Sequence, residues 1–348
     1  MTLALNDDVL ITNDSGKPEA MGLSSLAMSD DVIITPVPGQ KSVAVQEGSL
    51  AVSDDVFLIP GPGNKFIALK SGITYTPGTC ITKWSATFAI YGGIWVDKNN
   101  NIWVVDSSRT VTKYRPNGTV ALTFTDTTHL STTAVDLVTD SAGNIYVIGK
   151  NDLGYGQVVK YDPSGTFLSL LNETGSLYYW DLRIAIDSKD NIWLPEHKSG
   201  TSIYVTTEYT ASPWAFSRSI SALGPVTGID IKGSTYLYVL LGNAGVVKFT
   251  ISSGSIAQTW TYPGSFNSPY GLAVDVNLGY IYVSDSVDNT ITVLNPDGTL
   301  KATWTGYVYD GTTYAFSTPL DIAMDDNYHL YVADTGSGQI LKLQGLRS

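Results

Sequence analysis

Cysteine occurs once in the 348 residues, at Cys80, and histidine three times, at His129, His197 and His329. A single thiol excludes an internal disulfide framework and a multi-thiolate metal site, and its default role is that of a small buried hydrophobe. No two histidines stand at metal-ligand spacing, which argues against zinc and non-haem iron centres. Charged residues make up only 15% of the chain, and 20 Lys plus Arg stand against 32 Asp plus Glu, a formal net charge of −12. A phosphate backbone demands clustered positive charge, so no nucleic-acid partner is expected. Nowhere do roughly 20 apolar residues run together as a membrane helix requires. The opening Met1-Thr2-Leu3-Ala4-Leu5-Asn6-Asp7-Asp8 has neither the basic start nor the apolar core of a signal peptide. A soluble chain without membrane insertion or a Sec signal is the expectation.

What is present is a folded, aromatic-rich composition, with 33 Gly, 8 Trp and 21 Tyr, in a chain long enough for one large domain and a small one. From residue 92 onward a short apolar run ending in Asp recurs, reaching Asp97, Asp140, Asp187, Asp230, Asp275 and Asp325 at intervals of 43, 47, 43, 45 and 50 residues. Each run leads through a polar turn, such as Lys98-Asn99-Asn100-Asn101, into an aromatic and β-branched run such as Ile102-Trp103-Val104-Val105, which reads as a hairpin. A third run follows, for example Val158-Val159-Lys160-Tyr161. A turn such as Pro163-Ser164-Gly165-Thr166 or Pro296-Asp297-Gly298-Thr299 then leads to a fourth. In these turns Pro presets φ and Gly accepts positive φ. Four strands in about 45 residues, repeated six times without a helical pattern, predict an all-β, six-bladed β-propeller.

The last unit has no fourth strand before Ser348, whereas Ile81-Thr82-Lys83-Trp84-Ser85 upstream of the first unit matches Leu300-Lys301-Ala302-Thr303-Trp304 in character. The ring is therefore expected to close through a strand near residues 80 to 88, which removes exposed edges. Trp84, Trp260 and Trp304 occupy matching fourth-strand positions and should pack between blades.

Tyr331-Val332-Ala333-Asp334-Thr335-Gly336-Ser337-Gly338-Gln339-Ile340 and Ser268-Pro269-Tyr270-Gly271-Leu272-Ala273-Val274-Asp275 resemble NHL-repeat propellers, the group that includes streptogramin-lyase-like and lactonase-like domains. The resemblance covers about residues 80 to 346, and the group holds enzymes, scaffolds and binding modules alike. Its geometry implies that the loops entering the innermost strands and leaving the second strands share one face, at the mouth of the central channel. Asp106, Glu196, His197, Asp285 and Asp334 would gather there after second strands, beside Tyr179, Trp180, Arg183, Tyr270 and Asp321 near innermost-strand starts. Asp106, Glu196, Asp285 and Asp334 are the set that could hold Ca²⁺. Glu196 and His197 are the pair for acid–base catalysis, since Pro195-Glu196-His197-Lys198 breaks the repeat. Tyr179, Trp180, Arg183, Tyr270 and Asp321 are the candidate ligand-binding residues. The default role of the recurrent Asp residues is to cap turn N–H groups. Tyr178-Tyr179-Trp180, and Trp214 with Phe216, read as loop aromatics available to a sugar ring or a partner.

A second repeat fills residues 1 to 64. Leu3-Ala4-Leu5-Asn6-Asp7-Asp8-Val9-Leu10-Ile11 recurs from Leu26 and again from Leu50, spaced 23 and 24 residues apart. One such unit cannot bury an apolar face, so the three must stack on one another, on the propeller or on a partner. Pro60-Gly61-Pro62-Gly63-Asn64 marks a linker, giving a small β-repeat module at 1–64 and a propeller at 65–348.

A surface rich in Ser, Thr, Tyr, Gly and Asn but without an export signal suits a protein assembled inside cells and displayed outside them. The leading expectation is a non-enzymatic virion-associated structural or receptor-binding protein, a spike or tail appendage. Residues 1–64 would contact other virion or surface proteins, and the propeller a host receptor or glycan; a homo-oligomer would cover the module's open edges. The alternatives are a propeller lyase or Ca²⁺-dependent lactonase and a cell-surface scaffold.

Overall fold

In the computed structural model the chain divides into Met1–Tyr75 and Thr76–Ser348. The structure describes residues 3–5, 9–11, 26–28, 32–34, 50–52 and 56–58, and then 78–86, 92–130, 133–152, 156–172, 183–197, 204–211, 214–222, 224–251 and 256–346. In the first unit each repeat gives one strand to each of two parallel three-stranded sheets. Leu3–Leu5, Leu26–Met28 and Leu50–Val52 form one, and Val9–Ile11, Val32–Ile34 and Val56–Leu58 the other. Like residues stand in register, Leu3 on Leu26 on Leu50 and Val9 on Val32 on Val56. The two runs of a repeat do not pair with each other; they pair with their counterparts in the next repeat.

The second unit is six four-stranded antiparallel blades. Blade 1 comprises Gly92–Val96, Ile102–Asp106, Thr110–Tyr114 and Val120–Thr125. Blade 2 comprises Thr133–Thr139, Ile145–Lys150, Gly156–Tyr161 and Phe167–Asn172. Blade 3 is Ala185–Ile186, Ile192–His197, Tyr204–Ala211 and Trp214–Ala222. Blade 4 is Gly228–Lys232, Tyr236–Leu240, Val246–Thr250 and Ala257–Tyr262. Blade 5 is Pro269–Val274, Ile281–Asp285, Thr290–Leu294 and Leu300–Trp304. Blade 6 takes Pro319–Met324, His329–Asp334 and Gln339–Gln344 from the end of the chain. Its fourth strand is Cys80–Ser85, which pairs antiparallel with Gln339–Gln344 and sets Trp84 opposite Ile340. A hairpin, Gly306–Tyr309 with Thr312–Ala315, flanks this closure. Its Tyr307, Tyr309 and Tyr314 rings surround the Lys83 ammonium at 5.5, 4.9 and 4.4 Å, a cation–π grip on the closing strand.

Packing follows from strand position. Second strands are buried on both faces between blades, so they are near-continuous Val, Ile, Leu and aromatic runs, whereas third strands mix buried apolar residues with half-buried Thr and Lys. Fourth strands alternate between exposed and half-buried residues because one face meets water. In blades 1, 4, 5 and 6 the inward aromatic of the fourth strand closes the gap to the next blade. Trp84, Phe124 and Trp260 lie against Gly118, Gly165 and Gly298, the glycines that turn the third strand of the following blade into its fourth. A Cβ at these glycines would come within 2.8, 2.6 and 2.7 Å of the ring. Their φ angles of +81°, +87° and +86° add a second reason for glycine. Trp304 repeats the contact at Gly78 more loosely, at 3.7 Å. The three tryptophans thus pack between blades.

A second recurrent unit holds the hairpin between first and second strands. In blades 1, 2 and 6 the turn Asp accepts backbone N–H groups two and four residues on. It also accepts a bond from the aromatic six residues on: Trp103 Nε1 to Asp97 at 2.9 Å, Tyr146 Oη to Asp140 at 3.1 Å and Tyr331 Oη to Asp325 at 3.2 Å. A third-strand lysine faces each aromatic, Lys113, Lys160 and Lys342. Blade 4 departs from this, and Asp230 is not its turn residue as the repeat spacing suggested. Asp230 lies within the innermost strand, and register places Lys232 at the turn, four residues before Tyr236 and six before Tyr238. Trp214 and Phe216 likewise belong to a strand rather than a loop; Phe216 is 65% exposed on it.

The ring–glycine contact yields a direct comparison. Gly311, with φ +76° and open space around it, should lose about 1 kcal/mol on substitution by Ala, from backbone strain alone. Gly298→Ala should lose about 2–4 kcal/mol, because the Trp260 ring must also move; denaturant unfolding of the two variants measures the difference.

Candidate functional site

The innermost strands leave the channel edge of every blade without a neighbouring strand, so their N–H groups need other acceptors. Three aspartates supply them. Asp136 of blade 2 accepts Leu137 N at 2.8 Å through Oδ1 and Ile184 N of blade 3 at 3.3 Å through Oδ2. Asp321 of blade 6 accepts Ile322 N and, at 3.0 Å, Ile94 N of blade 1. Asp230 of blade 4 accepts Ile231 N and Val274 N of blade 5, both at 2.7 Å, two residues further along the strand. The clamps therefore sit on alternate blades. Irregular registers at Ala134/Asp136 and Pro319/Asp321 aim two of these side chains into the channel. Gly93 and Gly271 make room for them, since a Cβ there would come within 2.6 Å of Asp136 and 2.8 Å of Asp321.

Arg183, just before the innermost strand of blade 3, places its guanidinium among these carboxylates. Nη1 lies 3.7 Å from Asp136 Oδ2 and 3.9 Å from Asp321 Oδ2. Nε donates to Thr227 O of blade 4 at 2.7 Å, and the guanidinium stacks 3.4 Å above the Tyr270 ring of blade 5. Arg183, Tyr270 and Asp321, three of the candidate ligand residues, thus meet, together with Asp136, and Asp230 lines the same cavity. Tyr179 and Trp180 lie outside the described residues.

A cavity of about 250 Å³ runs along the channel and is lined by the innermost strands of five blades and, from blade 3, by Arg183 and Ile184 just before its strand. Its lining extends from Arg183 to Asp97, Lys98, Asp325 and Asp326, on the side of the first-to-second-strand turns. The described lining thus runs toward the turn side, while loop-side residues such as Tyr179 and Trp180 lie outside the described residues. Asp106, Glu196, Asp285 and Asp334 do not line it. They cap loops or brace their own blades. Asp106 accepts Thr110 N, and Asp285 accepts Asn267, Ser268, Val287 and Asp288 N. Asp334 accepts Ser317 N, and Glu196 accepts the Tyr209 hydroxyl at 2.6 Å. His197 ends the second strand of blade 3. His129 and His329 each turn Nδ1 to an aspartate, Asp126 and Asp325, at 2.8 Å.

No family model matches the chain, and no curated protein matches it in sequence. Solved structures do: a gluconolactonase of Xanthomonas campestris at 15% identity and TM-score 0.57, over 75% of this chain and 89% of that one. A streptogramin B lyase matches at 14% and 0.51 over 75% and 97%, and a luciferin-regenerating enzyme at 14% and 0.56 over 76% and 95%. This chain is a six-bladed β-propeller of the same build. At such identity the likeness carries the fold and leaves the activity open.

Calcium, the ion raised by the resemblance, requires six to eight oxygen ligands. In the channel each aspartate is taken up by two backbone N–H groups, and a guanidinium already supplies the positive charge. Among the described residues no three His, Cys, Asp or Glu side chains are arranged to hold a metal ion. The donor set does not fit calcium.

Burial pushes Asp136 and Asp321 above the ordinary carboxylate range; Arg183 opposes the shift, and for Asp136 the nearby Asp321 charge adds to it. Asp230, with no cation beside it, is pushed up to about 7 by burial, opposed by its two backbone N–H bonds, with a small contribution from Asp321. Two expectations follow. Arg183→Met should cost about 3–5 kcal/mol, by leaving buried carboxylates without their counter-charge, and adding Asp136→Asn with Asp321→Asn should restore part of it; urea unfolding reads both. The native state retains the Asp230 proton between about pH 4 and 7 while the unfolded chain releases it, so this residue makes stability fall as pH rises through that window. Asp230→Asn should remove about 2–4 kcal/mol of that decline in unfolding curves compared at pH 4 and pH 8.

Proposed function

We propose that this chain is a non-catalytic recognition and display protein: the propeller presents its outer surface, and the N-terminal repeats join it to a larger assembly. The observation that carries this reading is the state of the channel. Its carboxylates and its arginine are engaged in joining blade to blade, so the polar groups that would otherwise bind and activate a substrate serve the scaffold. Glu196, the candidate catalytic acid, bonds the Tyr209 hydroxyl inside its own blade rather than meeting the channel set. The repeat module supports the display half of the reading. Two parallel three-stranded sheets have strand edges at both ends of the stack, and parallel edges invite a partner.

The setting that suits such a protein is the surface of a virion, as a spike or tail appendage. There the module docks to neighbouring structural proteins, and the propeller meets a host receptor or glycan through exposed side chains such as Phe216. The reading makes two linked expectations. Deleting residues 1–64 should abolish incorporation into particles while the isolated propeller stays folded by circular dichroism; unchanged incorporation would sink it. The full chain should show no turnover on lactone or streptogramin B substrates with added Ca²⁺ or Mg²⁺. Turnover lost in a Glu196→Ala/His197→Ala variant would establish the enzyme instead.

A further inference from the structure

Blade 4 departs from the charge pattern that the hairpin turns of blades 1, 2 and 6 share. In blades 1, 2 and 6 the third-strand lysine lies over the aromatic of the second strand, and the turn aspartate balances its charge. Lys113 is 3.7 Å from Asp97 and Lys160 is 3.6 Å from Asp140. Lys248 holds the same place in blade 4, opposite Tyr238, with its ammonium 4.1 Å from the Tyr236 ring centre and 5.4 Å from that of Tyr238. The residue at the turn position is Lys232. A neutral pair has become a double positive charge in a chain whose net charge is −12.

Among the described residues the tyrosine rings are what the pair is set against. Neither lysine makes an ion pair or side-chain hydrogen bond there, although both are half-buried. Asp230 turns to the N–H groups of Ile231 and Val274; Asp275, in the turn of blade 5, accepts Asn277 N and Leu278 N through Oδ1, and its buried Oδ2 has no hydrogen-bond partner and makes no ion pair with Lys232. Lys232 Nζ reaches over the turn of blade 5 at Gly279, where a Cβ would stand 3.2 Å from it. Two ammonium groups set beside a tyrosine platform without a paired carboxylate attract an anion.

We infer that Lys232 and Lys248 form a site for a doubly charged oxyanion of the sulfate or phosphate class, on the turn side of blade 4. A dianion matches the charge of the pair, whereas a monocarboxylate leaves one charge uncompensated. Burial and the Lys232 charge push the Lys248 ammonium below its usual range, the direction a bound anion would reverse. The inference is independent of the display reading and would hold for an enzyme equally.

The test uses the full chain at low ionic strength, titrated calorimetrically with inorganic sulfate and phosphate, and with a sugar sulfate to separate a free ion from an esterified one. Wild type should bind one equivalent, and tighter binding of the sugar sulfate would assign the natural ligand to esters. Lys232→Asp restores the residue that blades 1, 2 and 6 carry. It should fold with a higher melting temperature and lose at least about ten-fold in anion affinity, as expected for the loss of one charged donor. Lys248→Met should lose the same affinity without the gain in melting temperature. No stoichiometric binding, an equal response to chloride at matched ionic strength, or wild-type affinity in Lys232→Asp would each overturn the site.

Discussion

The constraint on which the propeller rests is the unpaired edge that each blade turns toward its axis. An antiparallel sheet that stops at four strands leaves backbone N–H groups without partners, and in a channel this narrow they are buried. Every blade interface carries a buried polar link. Trp95 Nε1 meets Thr139, Asp136 meets Ile184 N, and Arg183 meets Thr227 O. Asp230 meets Val274 N, the Ser284 hydroxyl donates to Leu320 O, and Asp321 meets Ile94 N. Three of the six links are carboxylates, and three carboxylates in one channel demand a cation. Arg183 is that cation, and its planar fork reaches blades 2, 4, 5 and 6 from blade 3.

The remaining features follow from the same geometry. Six side chains cannot share one level of the axis, so the position that holds Asp136, Arg183 and Asp321 in three blades holds Gly93, Gly228 and Gly271 in the others. Asp230 acts one strand period further along, where the axis is free. At the rim the same problem of fit is solved by aromatic rings seated on glycine turns, and at the ring closure by three tyrosines around Lys83. Polar links fix the register of blades at the centre, and apolar contacts fill the wedge that widens outward.

Six units, their four-strand content and the borrowed closing strand were legible because each is a local pattern: β-branched runs, Pro-x-Gly turns and Asp-bearing hairpins. The candidate site was legible in part. Arg183, Tyr270 and Asp321 were selected for lying near innermost-strand starts, and they do meet. Asp136 sits inside an apolar run and carries no local signal of its own, and the spacing of Asp230 imitates a turn residue two positions away. Only register could separate Asp230 from Lys232.

Composition and periodicity alone determined that this chain is all-β, that it has six blades, and that one blade is assembled from both ends of the propeller sequence. These are properties of neighbouring residues and of repeats, and they survive without knowledge of any long-range contact. Which carboxylates face the axis and which lysines lack a counter-charge were decided by tertiary structure. Those properties depend on a one-residue choice of register and on charges brought together from positions more than a hundred residues apart, which spacing along the chain does not encode.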